Sequence, residues 1–193
     1  MEELAFSPDR PAIIADNIFT VLDRKVDWTF YYHLWDQCNF PTEFEAFYET
    51  PYIMQKHWNE IPHRFGLFGV NEEVRPIYFV YRMLAMAGDT EVSIEKTSED
   101  FTAKAFTGLN DSVSTMVMNR GDKGLGDMIV TVKFNGLRPG IRTLMNYRID
   151  GSKCWNEENL DFYPVEKRKI YTNEEYECQI YSPADSVSLL CIL

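Results

Sequence analysis

The alternation of apolar and polar residues changes its period near residue 88, and that change divides the chain. Before it, apolar positions recur at helical spacing around one aromatic run. Ile14, Ile18, Val21 and Leu22 stand at i, i+4, i+7 and i+8, which predicts an amphipathic helix to about Leu22. Asp9 is placed to cap it, Pro11 sits just inside, and Asp23-Arg24-Lys25 breaks it. Asp27 to Trp35 (DWTFYYHLW) is nearly all aromatic or β-branched, with little alternation. Such a run predicts a strand buried on both faces, as in a parallel sheet covered by helices. From Arg64 to Gly88 the chain reads as a glycine-bearing strand or turn, a polar loop, a helix begun by Pro76, and a stop at Gly88 in the left-handed cap position. Ile77, Val80, Tyr81, Leu84 and Ala87 make one stripe on that helix; Phe79, Met83 and Met86 make another. A helix apolar on two sides belongs between two layers.

After Gly88 the period is two. Strands are predicted at Glu91–Thr97, Phe101–Thr107, Val113–Arg120, Met128–Asn135, Arg142–Ile149, Leu160–Val165, Tyr176–Tyr181 and Val187–Leu193. Met128, Val130, Val132 and Phe134 face one way, and Ile129, Thr131 and Lys133 the other. Turns are spelled out at Asn110-Asp111, Gly121 to Gly124, Asn135-Gly136 with Pro139-Gly140, Asp150-Gly151 and Pro183 to Asp185, with a longer loop around Trp155. About eight short antiparallel strands so punctuated predict a β-sandwich. The fold class expected is therefore a helix-strand-loop-helix α/β segment followed by an all-β antiparallel sandwich, with the boundary placing residues 1–88 in the first part and 89–193 in the second.

Composition changes this picture little. A chain of 193 residues, 45% hydrophobic and 15% aromatic, has ample material for a packed core. Its net charge of −11, with no basic cluster, argues against a nucleic-acid partner. No apolar run is long enough to span a bilayer, so no membrane partner is expected. Cys38, Cys154, Cys178 and Cys191 show no zinc spacing, and His33, His57 and His63 show no metal-ligand spacing. No metal and no cofactor is expected.

The segment from Asp36 to His63 is long for a loop in a compact domain, and long loops are usually functional or disordered. It carries Phe40, Phe44, Phe47, Tyr48, Tyr52 and Trp58 among Glu43, Glu45, Glu49 and Glu60, too many rings for disorder. It also follows the end of a predicted strand, where α/β folds place their sites. Rings interspersed with carboxylates suit carbohydrate, whose C–H faces stack and whose hydroxyls need polar partners. Packing of the rings onto the rest of the fold accounts for them equally.

The order of these pieces resembles the C-terminal end of glycoside hydrolases built on a (β/α)8 barrel, of the xylosidase and iduronidase type. The words that carry the resemblance are Trp28-Thr29-Phe30, Trp35-Asp36, Phe65 to Gly69 (FGLFG), Arg75 to Leu84 (RPIYFVYRML), and Val113–Asn119 with Arg120-Gly121-Asp122. The resemblance implies that residues 1–88 are the last unit of a TIM barrel, that residues 89–193 are its accessory sandwich, and that the substrate is a carbohydrate. It places Trp35 on the floor of the sugar site, with Asp36, His33 and Trp58 as further substrate-binding candidates. Retaining glycosidases need two carboxylates about 5–5.5 Å apart. In the family these lie on the fourth and seventh strands, upstream of anything this chain matches. No catalytic residue is therefore expected here, Glu60 being in a loop after the wrong strand and Glu2 and Glu3 being terminal charges. A lone barrel strand also exposes both edges. Asp27–Trp35 should then pair with the rest of a barrel, within a homo-oligomer, or onto the C-terminal half. A non-catalytic carbohydrate-binding module and a purely structural β-domain are the competing readings.

Overall fold

A computed structural model of the chain describes residues 11–26, 31, 34–35, 66–69, 72–121, 126–150 and 160–193. Two helices precede eight antiparallel strands among these residues: α1 (Pro11–Asp23), α2 (Pro76–Ala87), β1 (Thr90–Val92), β2 (Thr102–Thr107), β3 (Val113–Asn119), β4 (Met128–Asn135), β5 (Gly140–Ile149), β6 (Glu166–Thr172), β7 (Glu175–Ser182) and β8 (Ser186–Ile192). Six strands form one sheet in the order β1-β2-β3-β8-β5-β6, while β4 and β7 form a separate pair.

The six-stranded sheet is covered on both faces. On one face Phe106, Met116, Met118, Tyr147, Ile149, Val187, Leu189 and Cys191 meet α1 and α2. On the other, Val117, Leu144, Ile170, Leu190 and Ile192 meet Val130, Phe134 and Ile180 of the two-stranded sheet. The alternation expected along β4 holds: Val130 and Phe134 are buried, and Ile129 faces solvent. The central strands read as apolar runs because they have no solvent face; every residue of β8 is buried.

Helix α1 ends at Asp23, close to the charged cluster that predicts its end. Its buried face, however, is Ala12, Ile13, Ile14, Ala15 and Phe19, and Leu22 is exposed. Two ion pairs set that rotation. Asp16 Oδ2 takes Arg120 at 2.6 Å, and Asp23 takes Lys104. In α2, Ile77, Phe79, Val80, Met83 and Ala87 are buried, whereas Met86 is exposed. Truncating Phe79 would cost about 3–5 kcal/mol.

Four sequence expectations are corrected. Gly88 is not in the left-handed helical region: at φ 117, ψ 171 it is extended with positive φ, a conformation essentially restricted to glycine. A Cβ there would also lie 2.6 Å from the Thr107 carbonyl oxygen. The strand expected at Leu160–Val165 is displaced to Glu166–Thr172 (EKRKIYT). An edge strand tolerates that much charge, and Phe162 is drawn instead into the helix-side core, 5.1 Å from Phe79 and 5.3 Å from Tyr147 between centroids. The strand beginning at Glu91 is shortened to Thr90–Val92, all three residues exposed. Of the run Asp27–Trp35, only Tyr31, Leu34 and Trp35 are described, and Leu34 and Trp35 are half exposed rather than buried on both faces.

Lys104 shows how the first helix is held. Its ammonium is buried, bonded to Asp23 and to Glu91 Oε1 at 2.6 Å, and 5.7 Å from the Phe19 ring centre. Burial alone would lower its pKa, but the hydrogen bonds it donates to the two carboxylates outweigh burial and raise it. Removing both carboxylates (Asp23→Asn with Glu91→Gln) strands a buried charge and should cost about 3 kcal/mol. Lys104→Met leaves two half-exposed carboxylates in water and should cost about 1 kcal/mol. Urea denaturation of the two variants measures the asymmetry; equal losses would mean that the charge does not hold the helix.

Candidate functional site

Trp35 is the one expected substrate-binding residue that the described residues include; His33, Asp36 and Trp58 lie outside them. Its backbone forms a parallel bridge with Phe68, and the Phe68 amide donates to the Leu34 carbonyl at 3.0 Å. Phe68 in turn bridges Val74 in antiparallel sense. The reversal between them is closed by the Gly69 amide on the Glu73 carbonyl at 2.8 Å and the Glu72 amide on the Gly69 carbonyl at 3.1 Å. A Cβ at Gly69 would overlap the Glu73 carboxylate and push that side chain aside. Glu73 pairs with Arg75 at 3.3 Å, just before Pro76 begins α2.

This local sheet holds the Trp35 ring on a ladder of aromatic contacts. Trp35 stacks on Phe68 with centroids 4.9 Å apart and planes inclined by 28°. Phe68 meets Tyr78 at 5.4 Å, Tyr78 meets Phe79 at 5.3 Å, and Phe79 meets Phe162 within the core. Tyr31 meets Tyr81 edge-on at 5.7 Å. Half of the Trp35 surface remains exposed. A ring fixed on one side and open on the other is a ready stacking platform, with little side-chain entropy left to lose. Phe68 and Tyr78 were legible in the sequence as parts of the FGLFG and RPIYF words, but their support of Trp35 depends on a bridge between segments more than thirty residues apart.

Nothing described around Trp35 supplies a carboxylate pair. Among the described residues no group of three or more His, Cys, Asp or Glu side chains could hold a metal ion. No helix among them is long and apolar enough to cross a membrane.

Two open clefts flank the β4–β7 pair. One, of about 420 Å³, lies between Thr97–Phe101 and the start of β4. The other, of about 330 Å³, lies between the free edge of β7 and strands β5 and β6. Neither was legible in the sequence, because each is formed by residues that only sheet packing brings together.

With this geometry in hand, the chain can be set beside known proteins. No protein-family profile and no curated protein matches it. Solved structures do. A GH39 enzyme from Xanthomonas axonopodis pv. citri matches 97% of the chain with a TM-score of 0.64 at 12% identity. A monomeric beta-xylosidase from Caulobacter crescentus CB15 matches 98% with a TM-score of 0.66 at 16% identity. A glucosidase from Croceicoccus marinus matches 96% with a TM-score of 0.65 at 13% identity. The fold is shared with glycoside hydrolases. At these identities the likeness is one of fold, and the chain spans 41–42% of the length of these three proteins.

The thiols that can be described are poor nucleophiles. Burial pushes the Cys191 thiol up to about 12 and the Cys178 thiol up to about 11. The native protein should therefore resist iodoacetamide at Cys191 at pH 8 and react there once unfolded, as peptide mapping would show. Because the unfolded thiol ionises first, Cys191 contributes stability below about pH 9 that is lost as pH rises toward 12. Cys191→Ala should flatten part of that alkaline decline in urea melts; Tyr81 and Tyr147, whose pKa values burial also raises, account for the remainder.

Proposed function

We propose that this chain is the C-terminal portion of a glycoside hydrolase acting on oligo- or polysaccharides. Residues 1–88 would be the last unit of its (β/α)8 barrel, and residues 89–193 its β-sandwich accessory domain. The observation that carries this reading is the coverage: nearly the whole chain matches less than half of three glycoside hydrolase structures. In this reading the acid/base and nucleophilic carboxylates lie upstream. Trp35 floors the sugar site, its sequence neighbours His33 and Asp36 supply polar partners for hydroxyls, Trp58 is a further substrate-binding candidate, and the rest of the barrel is the structural partner.

A second reading, a non-catalytic carbohydrate-binding module, draws on the half-exposed Trp35 ring alone, since stacking on a sugar needs no carboxylate pair.

Two measurements test these readings. The native polypeptide carrying this sequence should be more than twice as long as 193 residues; a mass of 22.6 kDa in its native cells would leave the second reading. Xylotetraose should quench tryptophan fluorescence, and Trp35→Ala should weaken binding at least about tenfold, as expected for one lost stacking surface. Unchanged binding by Trp35→Ala would remove Trp35 from the site.

A further inference from the structure

Strand β6 is one edge of the six-stranded sheet, and the direction of its backbone groups follows from its neighbours. Thr143 and Leu193 exchange both backbone hydrogen bonds, at 2.8 and 2.9 Å, so the odd-numbered residues of β5 turn their N–H and C=O groups toward β8. The even-numbered residues turn toward β6, where Arg142, Leu144 and Asn146 stand opposite Ile170, Arg168 and Glu166. On β6 the N–H and C=O groups of Lys167, Lys169 and Tyr171 therefore point off the edge, and none has a backbone partner among the described residues.

The side chains of the same three residues share one face. They stand opposite Met145, Thr143 and Ile141, and Met145 packs against the helix-side core, so all three lie on the helix side of the sheet. Lys167 and Lys169 are exposed and form no ion pair among the described residues, whereas Arg168, on the other face, is tied to Glu166 at 2.6 Å. Beside the two lysines, Tyr171 is 64% and Ile141 73% exposed, a cross-strand apolar pair open to solvent. In a chain of net charge −11 the edge thus presents two unmatched cations about 7 Å apart, then an apolar pair. A second copy pairing antiparallel about Arg168 or Lys169 would set cation against cation, and edge lysines discourage such pairing. The same charges favour a strand that brings carboxylates.

We propose that the β6 edge binds an extended acidic peptide as a seventh, antiparallel strand, with carboxylates opposite Lys167 and Lys169 and an apolar side chain over Ile141 and Tyr171. Backbone pairing to the three outward residues supplies affinity, and the alternate side chains supply the choice of partner. The surface is separate from Trp35 and does not depend on the chain's belonging to an enzyme.

The test is amide hydrogen exchange, read by two-dimensional NMR, on the 193-residue chain titrated with a capped peptide. The peptide carries leucine, glutamate and glutamate, in that order, at alternate positions with threonine between. The expected result is a saturable slowing of exchange at the Lys167, Lys169 and Tyr171 amides that weakens as salt is raised. Lys167→Glu with Lys169→Glu, both exposed, should weaken binding about tenfold, the worth of two cross-strand ion pairs. The same double variant should prefer a peptide with lysines in place of the glutamates, a reversal that damage to the fold would not produce. A version of the first peptide methylated at its pairing amides should not bind. Unchanged exchange at the three amides would overturn the proposal, as would equal binding of a glutamine version. So would equal binding of polygalacturonate, a polyanion with no peptide backbone to pair.

Discussion

The structure depends on the burial of β3 and β8 on both faces. Their inward residues on one side require α1 and α2, and on the other side require the β4–β7 pair. Take either cover away and a row of Met, Val, Leu and Ile side chains meets water, at about 25 cal/mol for each Å² exposed. The helices are thus one of the two covers of the sheet, and one apolar cluster runs through the helices and the sheet face they cover. The short connection reflects this: α2 ends at Ala87, β1 begins at Thr90, and the Ala87 carbonyl accepts a hydrogen bond from the buried Ser114 hydroxyl.

That construction also positions the candidate site. Trp35 is held through Phe68 and Tyr78 to Phe79, which sits in the same cluster as Tyr147 and Ile149 of the sheet. The exposed ring is therefore connected to the most buried part of the fold by direct contact. Polar pins add direction where apolar packing has none: Arg120 to Asp16 and Lys104 to Asp23 fix the rotation of α1. The same six-stranded sheet supplies the floor of the β7 cleft, because a two-stranded cover is too narrow to hide its far edge. Asn146 lies beneath that cleft, 4% exposed, with its side-chain oxygen buried and without a partner among the described residues.

Much of this was legible in the sequence, and the reasons differ by element. The second helix is announced by Pro76 and Gly88, whose backbone constraints are local, and its bounds follow. The alternation along Met128–Asn135 names its own buried face, since a strand with one wet side has period two. Composition disclosed a packed core, and the order of motifs disclosed a likeness to glycosidases that the fold shares.

Other features were decided by tertiary structure. The buried face of α1 turns on Phe19 and two ion pairs with residues some eighty and a hundred positions away, so local periodicity pointed to Leu22 instead. The edge strand β6 is too charged to be read as a strand from its own residues, and Phe162 was claimed by a core that no local pattern reveals. Gly88 was legible as a stop, but its conformation follows from the close approach of Thr107. The sequence by itself determined the periods, the stops and the kinds of residue available. Which strand lies at an edge, which ring reaches the surface and which polar atom is buried without a partner were decided by packing, because those properties belong to pairs of distant segments and not to either one.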